Sequence, residues 1–281
     1  MHKNTLKTYA LLAALGGLLV FLGRIWGGPN GATIGLAIAF VMVGGSYWFS
    51  DKIAIRASRA QPLSEQEAPE LYRMMRDLTS AAQMPMPRLY MTPDVQPNAF
   101  ATGRNEKNAV VAVTRGITEI LDERELRGVM AHELAHIRNK DILIGSVAAA
   151  IATAISYAAH IAFFFGGSDD DDGGNPFAGL IALFLAPIAA SLIQMAISRS
   201  REFEADRWAA NLINGGEPLA QALEKLHLGA QKIPMKVDPA QATHYIVNPL
   251  TGRRANFAKL FSTHPPMEER IARLRAPLAA R

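Results

Sequence analysis

Four long apolar runs do more than any other feature to limit the folds open to this chain of 281 residues. They cover Tyr9–Gly23, Gly31–Phe49, Ile142–Phe165 and Pro176–Ile197. A helix of about 20 apolar residues matches the hydrocarbon thickness of a bilayer. Inside lipid, every backbone polar group must be satisfied within the segment, which makes helix the expected state of each run. The runs therefore predict two helical hairpins, one at the start of the chain and one in its middle, reversing at Arg24–Asn30 and Gly166–Asn175. Lys3 and Lys7 ahead of the first run also suit a cleaved signal peptide. However, no small-x-small cleavage site leads into a polar domain, and a second apolar run follows directly.

Charge orients the hairpins. Lys3 and Lys7 precede the first run, and Lys52, Arg56 and Arg59 follow the second. Arg138 and Lys140 precede the third, and Arg199, Arg201 and Arg207 follow the fourth. The reversing loops carry only Arg24 and the acidic run Asp169–Asp172. Basic residues gather on the cytoplasmic side of membrane helices. Both termini and the polar segments are thus expected on the cytoplasmic side of the membrane, with four spans. The aspartate run lacks the spaced ligands and the twelfth-position carboxylate of a calcium loop, and reads as a solvated outer loop. The net charge is +4, without Lys/Arg clusters interleaved with aromatics, so no nucleic-acid partner is indicated. The absence of cysteine excludes disulfides, Cys-ligated zinc and a cysteine nucleophile. Nothing in the sequence fixes the oligomeric state.

The polar segments carry soluble-domain patterns. Ser64–Gln83 reads as an amphipathic helix, with Ser64 and Glu67 spaced as a capping box and Leu71, Met74, Met75 and Leu78 as its apolar stripe. Arg88–Thr114 reads as a few short strands, of which Asn108–Val113 is the clearest. Asp122 with Glu125 forms a second capping box. Further helices are expected over Glu217–Gln231 and from about Pro266. The domain plan is an N-terminal transmembrane hairpin (1–59), a first cytoplasmic part (60–141), a second hairpin (142–198) and a second cytoplasmic part (199–281). The fold class is an α-helical membrane protein with an α+β cytoplasmic domain, zincin-like in the helix that carries His132-Glu133-Leu134-Ala135-His136.

The helix opened by Asp122 carries His132-Glu133-Leu134-Ala135-His136. Two histidines at i and i+4 share one helix face, and both imidazoles can reach one zinc ion at about 2.0–2.1 Å. Glu133 then stands beside the metal, placed to take a proton from a water. Such a motif also occurs by chance on a surface helix, but Ala131, Leu134, Ala135 and Ile137 point to a buried setting, where histidines need partners. The third ligand is sought in Ser198–Asp206. There Glu202 and Asp206 are again i and i+4, one suited to bind the metal and the other to accept a histidine N–H. Glu204 points about 160° away from that face, toward solvent. His244 is the alternative third ligand but lacks a paired carboxylate. His160 lies within the third run, near its loop end.

These two segments resemble the signatures of the HtpX family of membrane zinc metalloproteases. Pro97–Gly103 and Thr263–Ile271 are similar to further segments of that family. The resemblance implies a zinc-dependent endopeptidase, with one Zn²⁺ per chain, that acts on damaged or misfolded membrane proteins from the cytoplasmic side of a bacterial-type inner membrane. It implies His132, His136 and Glu202 as ligands, Glu133 as catalytic base and Asp206 as the orienting carboxylate. Asn98 and Phe100 fall where a strand edge would pair with an extended substrate, although Asn98 also suits a simple turn. His264 is placed either to steady an oxyanion or to cap the last helix. The rival readings are a membrane scaffold with structural zinc and a CAAX-type prenyl-peptide protease. Structural zinc takes four protein ligands, not three beside a base. The prenyl proteases share both signatures but have more spans.

Overall fold

The computed structural model describes residues 3–143, 199–233, 245–247 and 265–276. The first element, α1, runs from Lys3 to Ala57 with Pro29 inside it, so the expected loop at Arg24–Asn30 is absorbed into helix. The stretch is nevertheless not straight. Gly28 adopts a left-handed φ of 59°, and Gly35 lies so close to the backbone of Leu19 that no Cβ fits between them. In a straight helix these two residues would be about 24 Å apart. The chain therefore doubles back at Gly28, and the hairpin geometry survives without an extended loop. Among the described residues, no helix is long and apolar enough to cross a membrane. The second hairpin, apart from Ile142 and Leu143, lies outside the described residues, as does the Asp169–Asp172 loop.

A four-stranded sheet follows, in the order β1-β2-β4-β3. β1 (Gln61–Pro62) pairs antiparallel with β2 (Arg88–Thr92), β2 runs parallel to β4 (Val110–Thr114), and β3 (Ala99–Thr102) pairs antiparallel with β4. The strand expected at Asn108–Val113 starts two residues later, because Glu106–Asn108 closes a 3₁₀ turn capped by Asn105. Side chains alternate between faces along a strand. Val111 and Val113 of β4 accordingly face the helices, whereas Ala112 packs with Phe100, Ala54 and Tyr245 on the other face. The end of α1 is docked beside that second face. Arg88 binds Asp51 at 2.7 Å, Arg59 binds Asp94 at 2.8 Å, and the Arg104 guanidinium lies 4.8 Å from the Trp48 ring.

The first amphipathic helix, α2, spans Pro69–Ala82 rather than Ser64–Gln83. Ser64 and Glu67 do make the predicted reciprocal bonds, but these close a turn ahead of the helix. Pro69, with its fixed φ and missing N–H, supplies the actual first turn. The predicted stripe Leu71, Met74, Met75 and Leu78 is buried as expected. A short helix α3 (Arg115–Ile120) leads to α4 (Glu123–Arg138), opened by the full Asp122/Glu125 capping box. Three more helices are described: α5 (Arg199–Leu212), α6 (Glu217–Lys232) and α7 (Met267–Arg275). α4 is central. Val129, Met130, Leu134 and Ile137 on it share one core with Leu219 and Leu223 of α6 and Leu274 of α7. A Cβ on Gly128 would sit 2.8 Å from the backbone N of Leu219. The absence of a side chain there is what lets α4 and α6 approach so closely.

Candidate metal centre

His132 and His136 project from successive turns of α4, and Glu202 faces them from the first turn of α5. The Nε2 atoms of the two histidines are 3.0 Å apart. Glu202 Oε1 is 3.4 Å from His136 Nε2, and its Oε2 is 3.8 Å from His132 Nε2. A tetrahedral zinc with bonds of about 2.0–2.1 Å separates its ligand atoms by about 3.3 Å. The three side chains thus span one face of such a tetrahedron, and the donor set fits zinc.

Carboxylates stand behind both rings. Asp206 Oδ1 is 2.9 Å from Nδ1 of His132, and Asp141 Oδ2 is 3.1 Å from Nδ1 of His136. Each pairing leaves Nε2 directed at the centre. Asp206 is gripped in turn by Arg270 of α7, whose Nε donates to Oδ2 at 2.8 Å and Nη2 to Oδ1 at 2.7 Å. Arg270 is completely buried. Its Nη1 also donates to the Ile246 carbonyl at 3.2 Å and lies 3.4 Å from Glu202 Oε2.

The electrostatics favour a cation. Glu133, Asp141, Glu202 and Asp206 are all buried around the histidines, against the buried guanidinium groups of Arg201 and Arg270. Burial opposes charge on His136, yet Glu202 and Asp141 push its pKa up to about 9. Burial likewise works to raise Asp206, but Arg270 beside it holds the carboxyl below its usual range. Desolvation pushes Glu133 up to about 7. The backbone N–H of Ala101 in β3 donates to Glu133, which links this carboxylate directly to the sheet edge.

His132, Glu133, His136, Glu202 and Asp206 are thus brought together, and Glu204 is exposed as its phase on α5 predicts. Asn98 and Phe100 are placed differently from a free substrate edge. The Asn98 side chain is fully buried and behaves as a peptide unit: Nδ2 donates to the Val247 carbonyl at 2.7 Å, and Oδ1 accepts from Val247 N at 3.3 Å. Ile246 N donates to the Ala99 carbonyl at 3.1 Å. Phe100 packs edge-on against Tyr245, with ring centroids 5.1 Å apart. At Asn98 and Ala99 the edge of β3 is therefore occupied by the chain's own residues 245–247. His264, His244 and His160 lie outside the described residues. Two further residues at the centre, Arg270 and Asp141, carry little signal in the sequence. Arg270 sits in a helix whose other arginines pair at the surface, so spacing does not single it out. Asp141 offered one signal, an acid five residues past His136 at the point where the apolar run begins.

Residues 65–278 match the family described as Peptidase family M48. The chain is 51% identical to a protein of Syntrophobacter fumaroxidans described as "Protease HtpX homolog", over 96% of this chain and 98% of that one. It is 52% identical to a protein of the same description from Burkholderia thailandensis, over 96% of each. The crystal structure of S. mikatae Ste24p superposes with a TM-score of 0.52 at 18% identity, covering 97% of this chain. The chain spans 66% of the length of that protein, and the likeness extends to the fold.

Proposed function

The chain belongs to the HtpX proteases of peptidase family M48 and is a metalloendopeptidase; we propose that it works with one Zn²⁺ per chain and clears damaged or misfolded membrane proteins from the cytoplasmic side of a bacterial inner membrane. The observation that carries this reading is the buried trio His132, His136 and Glu202 with Glu133 beside it on one helix. Three protein ligands and an adjacent base leave a fourth position open, the arrangement of a catalytic rather than a structural zinc.

Bound at that trio, zinc supplies Lewis-acid polarisation of the scissile carbonyl and acidifies a water. Glu133 takes the proton from the attacking water and delivers it to the leaving amine. Asp206 and Asp141 keep the histidine rings aimed, so ligand geometry is set before substrate arrives. Asn98 and Phe100 serve the substrate site indirectly, by securing residues 245–247 along β3. His264, directly ahead of α7 in sequence, is in this reading the donor that steadies the oxyanion.

The activity is tested on the full chain purified in detergent. It is expected to cleave an unfolded protein, to stop when a chelator strips the metal, and to recover when Zn²⁺ is returned. Cleavage that persists unchanged through chelation refutes the metal role. The membrane placement rests on the four apolar runs and their basic flanks. A topology reporter fused after Arg59 or at the C-terminus is expected to read cytoplasmic, and one in the Asp169–Asp172 loop to read outside. A cytoplasmic reading at the loop removes the second hairpin from the bilayer.

A further inference from the structure

We propose that Arg270 is a positioning residue of the metal centre: its guanidinium holds the Asp206 carboxylate against the ring of His132 and so sets the direction in which His132 Nε2 points. The inference rests on the reading of His132, His136 and Glu202 as zinc ligands. Three observations support it. First, the grip is two-pronged, through Nε to Oδ2 at 2.8 Å and Nη2 to Oδ1 at 2.7 Å. The planar fork of arginine fixes a carboxylate in rotation as well as position, which a lysine cannot do. Second, the same Asp206 oxygen that receives Nη2 stands 2.9 Å from His132 Nδ1, so the guanidinium, carboxylate and imidazole form one chain of contacts. Third, Arg270 is wholly buried, and two of its remaining contacts point at the same centre, Glu202 Oε2 at 3.4 Å and His132 Nε2 at 3.5 Å, while Nη1 also donates to the Ile246 carbonyl at 3.2 Å. An arginine kept only to tie α7 to the core would not need to meet a ligand and the group behind another ligand together.

The consequence is that α7, more than sixty residues beyond the nearest ligand in sequence, governs metal affinity. The test is a chelator-competition titration with Zn²⁺ alone on the full chain in detergent, for wild type, Arg270→Lys, Asp206→Asn and the double variant. Wild type taking up one zinc, lost on His132→Ala, secures the ligand reading first; its failure would fall on that reading and not on Arg270. Arg270→Lys is expected to weaken zinc binding about 10–100-fold, the usual cost of losing a group behind a ligand, and to lower kcat with little change in KM. Asp206→Asn is expected to do the same. Because both act through one contact, the double variant is expected to lie within about twofold of Asp206→Asn alone. Thermal unfolding in excess chelator separates a loss of fold from a loss of metal. Wild-type zinc affinity in folded Arg270→Lys overturns the proposal. So does wild-type affinity in Asp206→Asn, which reads the same link if the arginine variant does not fold. Losses that multiply in the double variant also overturn it, because they would make Arg270 an independent structural support.

Discussion

Glu133→Gln is expected to keep its zinc and to hydrolyse substrate about 100- to 10,000-fold more slowly than wild type, the range that a positioned acid–base group contributes. The substitution is nearly isosteric. The glutamine Oε1 can still accept the Ala101 N–H that Glu133 accepts now, so the packing between α4 and β3 survives. None of the three converging donor atoms belongs to Glu133, so the metal is held as before. What disappears is a side chain that can bind and release a proton. Metal content and cleavage rate measured on one preparation decide the matter. Loss of zinc together with activity would make Glu133 a ligand, and retained activity would remove it from the chemistry.

Glu202→Ala is expected to cost more zinc affinity than any change behind the ligands, beyond the about 10–100-fold expected for Asp206→Ala. The remaining histidines define only the 3.0 Å edge of the ligand triangle, and no other described side chain completes it. His244→Ala is expected to leave zinc affinity at the wild-type level. A chelator-competition series on the three variants tests the order; a His244→Ala protein that loses zinc while Glu202→Ala retains it would reassign the third ligand. Glu202 also lies near Arg270, and breaking a buried ion pair from one side typically costs about 3–5 kcal/mol. The titration therefore needs unfolding curves beside it.

Local signals in the sequence carried most of the catalytic helix. The Asp122/Glu125 box, the apolar positions around the histidines and the i, i+4 spacings are all written within a turn or two of one another. They appear in the structure as expected. The pairing of Glu202 with α4 was also readable, because the carboxylate spacing on α5 repeats the histidine spacing on α4. Contacts made across long separations were not. Arg270 meets Asp206 from 64 positions away, and on a charged nine-residue helix it resembles its exposed neighbours Arg273 and Arg275. Nothing in the sequence around Asn98 announces its bond to Val247, 149 positions on. The boundary error at Ser64 has a different origin. A capping-box spacing specifies reciprocal hydrogen bonds, and a turn meets that demand as well as a helix does.

The outer edge of β3 has a consequence for how the protein behaves at high concentration. An edge strand with free amides and carbonyls is a template for pairing with another copy, and the usual outcome is aggregation by sheet extension. Here the outward-facing Ala99 carbonyl is taken by Ile246, and the outward-facing Ala101 N–H is taken by Glu133. These two contacts occupy outward-facing positions of the β3 edge and so shorten the ladder open to a second molecule.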